Sequence, residues 1–388
     1  MFRAALAVQG SAGFWHGPYW VGWMHLELSD ETMKRIFSLL LAAFAIHAVA
    51  ATDSARRDGH RYTPATVSRI DAPGSYPEVF ISGYIERETV ARFKELGRLH
   101  SAGVGMVFFD SPGGDLLAAM ELGQLIRERG FSTRVGRQGQ GTTRLPGRCE
   151  SACPFAFAGG RFRFLEPDSK LGLHQFISSG GDQANDLQTG QVVSTMIANH
   201  LTSLGISVSV MERMVSADNG SMAYLTPVEA FDLGLINAGT LPAQWQVTDV
   251  AGAVALVGEQ EKIQGTGKLA LACAEGDGVE LTAMFKAWYS PSLAQALNEA
   301  TIVADGKQVG DWFRVPFSRT RNGFVSFTFR PNPEQLRGLV GAQSIGIQYS
   351  KSGTEVRAGF EVDARDSASL IRSFVNLCKG QRPSLAAP

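Results

Sequence analysis

Residues 147–160 read Gly-Arg-Cys-Glu-Ser-Ala-Cys-Pro-Phe-Ala-Phe-Ala-Gly-Gly, and this stretch decides the expected fold. A helix is predicted to start at Ser151, because Pro154 is tolerated only in a first turn, where N–H groups have no partner within the helix. Upstream, residues 107–114 read Val-Phe-Phe-Asp-Ser-Pro-Gly-Gly, which indicates a strand running into a tight glycine turn. Downstream, His174 occurs in Leu-Gly-Leu-His-Gln-Phe. The stretch therefore combines a serine with a strand–turn–helix pattern, and a histidine follows close behind.

Strand and helix patterns alternate between residues 67 and 240, which we interpret as an α/β domain. Strands are predicted at 78–82, 104–110 and 132–135, and helices at 86–101, 115–129, 186–204, 208–215 and 227–233. Strands joined by helices pair in parallel through right-handed crossovers, and functional groups gather at their carboxyl ends. The turn at 111–114 and the loop before Ser151 both fall at such ends.

The pattern changes after about residue 241. Residues 241–265 are predicted to be a linker, residues 266–380 a smaller β-rich domain and residues 381–388 a tail. Alternating strands are predicted at 279–288, 324–329, 344–349 and 356–362, with a final helix at 367–377. The expected fold class is therefore α/β, a parallel sheet with helices followed by a mainly antiparallel β domain.

The N-terminal region has the features of a secretory signal. Met33-Lys34-Arg35 is a short positive start, the run 36–46 is apolar, and Ala48-Val-Ala50 supplies a small-x-small cleavage pattern. We therefore expect residues 33–50 to be a signal peptide cleaved near Ala50, and the protein to be periplasmic or secreted.

An alternative is that segment 36–51 stays uncleaved and anchors the protein in a membrane. The apolar run is shorter than the roughly 20 residues that a spanning helix needs. Residues 51–66 lack periodicity and are interpreted as a linker. Residues 1–32 have no place in an exported protein, so we interpret them as a mis-assigned extension before an initiator at Met33.

Composition excludes several classes of protein. The 388-residue chain is 44% hydrophobic and 19% charged, which is typical of a globular protein, and its length favours two domains. Its net charge is −1, and lysine and arginine form no basic block. A nucleic-acid partner is not expected, because phosphate binding needs a clustered positive surface.

The four cysteines agree with export. Cys149, Cys153, Cys273 and Cys378 all follow the expected cleavage point. Cys273 and Cys378 bracket the C-terminal region, so their pairing would staple it, although three pairings are possible. The alternative for the first two cysteines is a zinc site with His174, but the spacing fits no familiar site. We expect neither a metal nor a cofactor.

Serine becomes a nucleophile when a nearby base accepts its proton, and the reaction also needs N–H groups aimed at the developing oxyanion. Ser151 and His174 are candidates for the first requirement. The amide of Ala152 and an amide of the Gly113-Gly114 turn are candidates for the second. The simpler interpretation makes Ser151 a helix cap and His174 a buried structural histidine, as we also interpret His200.

Over about residues 78–237 the chain resembles the Clp-protease/crotonase superfamily, and within it the Clp-like serine peptidases. The resemblance is carried by the strand ending in Ser-Pro-Gly-Gly, by a serine before a short helix and Ala-Gly-Gly, and by Leu-Gly-Leu-His-Gln-Phe. It closes with Leu225-Thr-Pro-Val-Glu-Ala and Leu233-Gly-Leu-Ile-Asn237. These motifs are more specific in their order and spacing than any of them is alone.

The resemblance implies that Ser151 is the nucleophile and His174 the base. It also implies that the amides of Gly114 and Ala152 form the oxyanion hole, with Gly113 as an alternative to Gly114. Superfamily members commonly assemble into rings or trimers, so a homo-oligomer is expected. No ATPase-docking signal is evident in the sequence.

The third member of the family's triad is an aspartate, and this sequence departs from the pattern there. When the helix around Glu229 is used as the anchor, the aspartate falls on Met222. Asp218 lies four residues earlier and is a candidate if the loop is reshaped. Otherwise the site is a Ser-His dyad.

The expected function is an exported serine peptidase that cleaves a peptide or protein substrate through an acyl-enzyme. The leading alternative is a catalytically inactive oligomeric scaffold whose C-terminal β domain binds a partner. Two further alternatives are a serine–lysine dyad with Lys94 or Lys170 as base, and acyl-CoA chemistry, which an exported location disfavours.

Overall fold

A computed structural model describes twelve segments of the chain, which together cover most of residues 63–380. They are 63–71, 76–97, 105–141, 143–175, 183–217, 221–250, 252–274, 278–287, 297–314, 318–319, 322–353 and 357–380. The predicted extension, signal peptide, alternative anchor and tail therefore lie outside the described residues. Within the segments described, no helix combines the length and apolar character that a membrane crossing requires.

Residues 63–241 form what we call the α/β lobe. In chain order its elements are β1 (Thr66–Ile70), β2 (Glu78–Ser82), α1 (Arg87–Gly97), β3 (Met106–Asp110), α2 (Leu116–Glu128), β4 (Ser132–Val135), β5 (Arg137–Gln138), β6 (Arg144–Leu145), β7 (Arg148–Glu150), α3 (Cys153–Phe157), β8 (Arg163–Leu165), β9 (Lys170–Leu173), α4 (Gln183–Ser203), α5 (Ser209–Val215), β10 (Ala223–Tyr224) and α6 (Pro227–Asp232).

Two sheets and a short hairpin organise this lobe. The larger sheet has the strand order β1-β2-β3-β4-β8, and the smaller has the order β10-β9-β7. Strands β2, β3, β4 and β8 pair in parallel, while β1 adds an antiparallel edge. The predicted α/β class with a parallel sheet is confirmed, and β2 and β4 have the predicted bounds.

Helix α2 packs one apolar face onto the sheet, and its backbone contacts that of helix α3. Asp115 caps its first turn by accepting the N–H of Ala118 at 2.7 Å. Leu122 and Ile126 are fully buried in the lobe's main core. At Gly123 a Cβ would meet the carbonyl oxygen of Phe155 at 2.5 Å, so the α2 and α3 backbones touch where a side chain would not fit. This contact fixes α3, the helix that follows Ser151.

Residues 244–380 form what we call the β lobe. Its elements are β11 (Gln244–Val250), β12 (Ala253–Lys262), β13 (Gly265–Ala274), β14 (Gly278–Ala287), β15 (Glu299–Ala304), β16 (Lys307–Arg314), β17 (Ser318–Arg319), β18 (Val325–Phe329), α7 (Pro333–Gly341), β19 (Ser344–Ser350), β20 (Arg357–Asp363) and α8 (Ala368–Gly380).

The strands of the β lobe form two antiparallel sheets, as expected for the C-terminal region. Their orders are β11-β12-β13-β14-β18-β17 and β16-β15-β19-β20. Apolar side chains from both sheets and both helices share one core. The bond between Cys273 and Cys378 joins β13 to α8, so the structure selects one of the three possible pairings.

The predicted linker at 241–265 is the main difference between expectation and structure. It contains strands β11 and β12, which belong to the larger sheet of the β lobe. Strand β11 lies at the edge of that sheet, and Val247 and Val250 are exposed, so the sequence lacks the alternation of a half-buried strand. The turn after β12 also contacts the α/β lobe, because the N–H of Ile263 donates to the carbonyl of Gly239 at 2.8 Å.

Candidate active site

Parallel strand pairing brings Ser151 and His174 together. Strands β7 and β9 are neighbours in register, with Glu150 opposite Gly172. Ser151 follows β7 directly, and its N–H donates to the carbonyl of Gly172 at 3.1 Å. His174 follows β9, and its Nε2 lies 2.7 Å from the Ser151 Oγ. The two side chains thus meet at the carboxyl ends of adjacent strands, within hydrogen-bond reach.

The backbone of Ser151 differs from the prediction. Its φ is +61°, in the left-handed region, and helix α3 begins only at Cys153, with Ala152 as its N-cap. A left-handed residue other than glycine costs about 1–3 kcal/mol and persists where the surroundings enforce it. The prediction of a helix starting at Ser151 is therefore wrong, and so is the interpretation of Ser151 as a helix cap. Ser151 occupies a sharp turn between a strand and a helix.

A disulfide spans this turn. Cys149 and Cys153 are bonded, with Cα atoms 5.1 Å apart, and each lies two residues from Ser151. Both are fully buried. We call residues 149–153 the Ser151 turn. Because both sulfur atoms are in the disulfide, neither is available as a thiolate, which rules out the zinc alternative for this pair.

The glycine turn lies directly against the Ser151 turn. Gly113 and Gly114 have φ angles of +112° and +143°, which residues with a side chain rarely adopt. A Cβ on Gly113 would lie 2.6 Å from the Cβ of Ser151, and one on Gly114 would lie 2.1 Å from the carbonyl oxygen of Ile85. Only glycine fits at these two positions, because Gly113 lies against Ser151 and Gly114 lies against the backbone of Ile85.

Three backbone N–H groups near Ser151 have different surroundings. The N–H of Gly113 donates to Ser111 Oγ at 3.1 Å. Across the part of the chain that the structure describes, the N–H groups of Gly114 and Ala152 donate to no acceptor. Ala152 directly follows Ser151 and is the N-cap of α3. Gly114 directly follows Gly113, the residue that lies against Ser151. These two amides are free to bind a ligand atom, whereas that of Gly113 is engaged.

Asp218 lies outside the described residues. Its neighbours on both sides are held close to β9: the side-chain amide of Gln175 donates to the carbonyl of Ala217 at 3.4 Å, and Ala223 pairs with Leu173. Met222, the position where the resemblance expects an aspartate, directly precedes the paired residue Ala223. The Met222 side chain covers Gly172, since a Cβ there would meet its Sδ at 2.8 Å.

The alternative bases take part in other contacts. Lys94 Nζ pairs with Glu121 Oε1 at 2.5 Å, and Lys170 Nζ lies 5.3 Å from the ring centre of Tyr224. His200 is buried, and its Nε2 bonds the carbonyl of Phe155 at 3.0 Å. The structure therefore brings His174 to Ser151, whereas Lys94 and Lys170 contact other side chains.

Sequence reasoning missed a polar pair beside the site. The Tyr224 hydroxyl donates to Glu150 Oε1 at 2.9 Å, and this carboxylate is nearly buried. Partial burial raises the pKa of Tyr224, and the hydrogen bond to Glu150 raises it further. Arg148 Nη1 lies 3.6 Å from the second carboxylate oxygen. No motif announces the pair, because its members are 74 residues apart and meet only through the pairing of β7 and β10 with β9.

Two arginines, the buried Arg163 and the half-buried Arg127, hold the far end of α3. Arg163 donates to the carbonyls of Gly160, Gly234 and Leu235, and Arg127 donates to those of Ala158 and Gly159. Burial, with a smaller contribution from Arg127, lowers the pKa of Arg163 to about 9. Cations are favourable at the carboxyl end of a helix, where carbonyls lack partners. The helix that starts beside Ser151 is therefore fixed at both ends.

No family model matches the chain, and no curated protein matches it. Among solved structures, the membrane-bound stomatin-specific protease 1510-N is similar with a TM-score of 0.30 and 18% identity, covering 41% of this chain and 75% of that one. The same protease in complex with a substrate peptide is similar with a TM-score of 0.31 and 20% identity, covering 41% of this chain and 71% of that one. ClpP1 from Listeria monocytogenes is similar with a TM-score of 0.30 and 19% identity, covering 41% of this chain and 88% of that one. Values this low assign no function, which has to come from the geometry of the site.

Proposed function

We propose that this protein is a serine peptidase in which Ser151 is the nucleophile and His174 the general base. One observation carries the proposal: His174 Nε2 lies 2.7 Å from the Oγ of a serine whose backbone is held at φ +61° between a strand and a helix. A structural serine gains nothing from that conformation. A nucleophile does, because the sharp turn exposes its hydroxyl at the end of the sheet.

The proposed reaction uses the two steps of acyl transfer. As the Ser151 Oγ attacks the substrate carbonyl carbon, His174 Nε2 accepts the hydroxyl proton and then delivers it to the leaving amine. The C–N bond breaks and an ester on Ser151 remains. Water, deprotonated by the same imidazole, hydrolyses the ester and restores the serine.

The free amides of Ala152 and Gly114 support an oxyanion hole. Both tetrahedral intermediates place a negative oxygen near the serine, and preorganised N–H donors stabilise it. The two amides lie on the segments that meet at Ser151, and neither has another acceptor among the described residues. Gly113 is a poorer candidate, because its N–H already bonds Ser111.

Asp218 stays our candidate for orienting His174. Its described neighbours are held beside β9 through Gln175 and Leu173. A carboxylate on the Nδ1 side of the imidazole fixes the tautomer and stabilises the imidazolium. The alternative is a Ser-His dyad without a carboxylate.

Export and assembly are part of the proposal. Two disulfides fit a chain that folds in an oxidising compartment, in agreement with the signal-like segment at 33–50. We propose a periplasmic or secreted peptidase whose substrate is a peptide or protein. A homo-oligomer is proposed from the family resemblance alone.

A fluorophosphonate probe, which labels activated serines, tests the proposal on residues 51–388 folded under oxidising conditions. Labelling of the wild type is expected, with none in Ser151→Ala or His174→Ala. Ser169→Ala is the matched control: its hydroxyl bonds Val135 and Gly147 and has no role in the site, so labelling should persist. An unlabelled but folded wild type would favour the scaffold alternative.

A further inference from the structure

Ser111 is fully buried at the end of β3, and its backbone is tied to the strand that carries Ser151. Its N–H donates to the carbonyl of Arg148 at 2.7 Å, and its carbonyl accepts the N–H of Glu150 at 3.0 Å. The Ser111 backbone therefore extends β3 along β7. Its position relative to the Ser151 turn is set by sheet hydrogen bonds.

The Ser111 side chain contacts the glycine turn twice. Its Oγ accepts the N–H of Gly113 at 3.1 Å and lies 3.2 Å from the carbonyl oxygen of the same residue, to which the hydroxyl donates. That carbonyl also accepts the N–H of Ile85 at 2.8 Å. Two donors thus fix the direction of the Gly113 carbonyl.

The direction of this carbonyl decides where the next N–H points. The peptide bond between Gly113 and Gly114 is planar, and in its trans form the carbonyl and the N–H point in opposite directions. Since the carbonyl is held by Ser111 and Ile85, the N–H of Gly114 has to point away from both. This is one of the two amides without an acceptor in the described chain.

We infer that Ser111 is a positioning residue that orients the Gly114 amide toward the oxyanion. The inference rests on the proposed function and adds a second serine to it, one that is buried and does not contact substrate. Glycine makes this device necessary: a Gly-Gly peptide is conformationally free, so its orientation has to be imposed from outside. Without the hydroxyl, the buried Gly113 N–H loses its acceptor and the peptide can turn to find another.

The test is Ser111→Ala beside the matched control Ser169→Ala. Ser169 is half-buried rather than fully buried, but it makes the same pair of hydrogen bonds: its Oγ accepts one N–H, from Gly147, and donates to one carbonyl, of Val135. Labelling of Ser111→Ala by the fluorophosphonate is expected to slow about 10- to 100-fold, below the loss when an oxyanion donor is removed outright. Ser169→Ala should stay within about twofold of the wild type, at a similar melting temperature.

Two readouts separate positioning of the amide from general damage. The pH dependence of labelling should keep its midpoint in Ser111→Ala, because the Ser151–His174 pair is untouched. Phenylboronic acid forms a tetrahedral anionic adduct with an activated serine, and its affinity should fall about tenfold in the same variant. A shifted midpoint with unchanged boronate affinity would overturn the inference.

The remaining outcomes test the role of Ser111 separately from the proposed peptidase activity. A labelled wild type, with Ser111→Ala as fast as Ser169→Ala, would overturn the role of Ser111 and leave the peptidase proposal standing. An unlabelled wild type would overturn the peptidase proposal and the role of Ser111 with it.

Discussion

The Cys149–Cys153 bridge closes a turn between residues four apart in sequence, whereas Cys273–Cys378 joins residues 105 apart. The first surrounds Ser151 in the α/β lobe. The second, which we call the C-terminal clasp, fastens helix α8 to strand β13 of the β lobe. Cys149, Cys153 and Cys378 are buried and Cys273 is half-buried, but the two disulfides close loops of very different length.

The chain-entropy model gives the difference a size. Closing a loop of about 100 residues stabilises a fold by about 4.7 kcal/mol, and the same expression gives about 2 kcal/mol for a loop of about five. The clasp therefore acts mainly on the unfolded chain. The bridge around Ser151 contributes less of that entropy and is located where backbone geometry matters to the proposed chemistry. Stability and activity should respond separately to the loss of each.

The largest expected effect is the loss of protein stability when the C-terminal clasp is removed. Cys273→Ala/Cys378→Ala should lower the free energy of unfolding by about 4–5 kcal/mol, because the 105-residue loop regains its freedom in the unfolded chain. Fluorophosphonate labelling per folded molecule should hardly change. Urea unfolding monitored by circular dichroism measures the first quantity. If this double variant kept its stability but was labelled slowly, the clasp would act on activity rather than on stability, contrary to the comparison.

The next effect is on activity at the glycine turn. Gly113→Ala should slow labelling on the order of a hundredfold, since its Cβ would lie 2.6 Å from that of Ser151 and displace the oxyanion amides. Gly205→Ala is the matched control: its φ is +71°, but a Cβ there meets nothing within 4 Å. If both variants lost activity alike, backbone strain rather than contact with Ser151 would be the cause.

A smaller loss of activity is expected at the Ser151 turn. Cys149→Ala/Cys153→Ala should slow labelling by about tenfold, because the left-handed Ser151 relaxes toward ordinary conformations, and should cost about 2 kcal/mol of stability. Labelling rates measured well below the melting temperature report the loss of activity without a contribution from the loss of stability. An unchanged rate would show that neighbouring strands alone hold the turn.

The smallest effect concerns acid sensitivity of the α/β lobe. His200 Nε2 bonds Phe155 in α3, while its Nδ1 is buried and has no partner in the described chain, and burial lowers the pKa of this imidazole. The unfolded chain therefore takes up the proton first. Stability should be complete above the ordinary value of about 6.5 and fall as pH drops below it, until the folded pKa is reached.

The variant His200→Gln tests this assignment. Glutamine keeps a neutral N–H donor at the position of Nε2 and cannot be protonated, so part of the pH slope of stability between about 7 and 5 should disappear. Urea unfolding at several pH values measures the slope. A slope identical to that of the wild type would assign the acid sensitivity to other groups.

Much of the fold could be predicted because its strongest patterns are local. Strand β2 reads Glu-Val-Phe-Ile-Ser before helix α1, and strand β4 reads Ser-Thr-Arg-Val after helix α2, so each is a short segment of strand-forming residues beside a helical pattern. Strand β11 was missed because its position at the sheet edge leaves valines such as Val247 exposed, which removes the alternation of a half-buried strand. Helix α7 was missed although Asn332 and Gln335 form a capping box, a signal that the sequence does contain.

The site divides in the same way. Ser151, His174 and the glycine turn lie in short motifs whose order is visible in the chain. The left-handed backbone of Ser151 comes from the pairing of β7 with β9 and from contacts with Gly113, so no local pattern announces it. The Glu150–Tyr224 pair depends on a 74-residue separation closed by the smaller sheet.

The bridge around Ser151 has a consequence for timing. A peptidase made in a reducing compartment endangers the proteins around it, and thiols there stay reduced. Until Cys149 and Cys153 are joined, the disulfide does not hold the turn that presents Ser151, so the newly made chain is expected to react about tenfold more slowly. In the proposed exported peptidase, formation of this disulfide after export would then raise the activity of Ser151. Comparing labelling of freshly reduced and reoxidised protein would measure this latency.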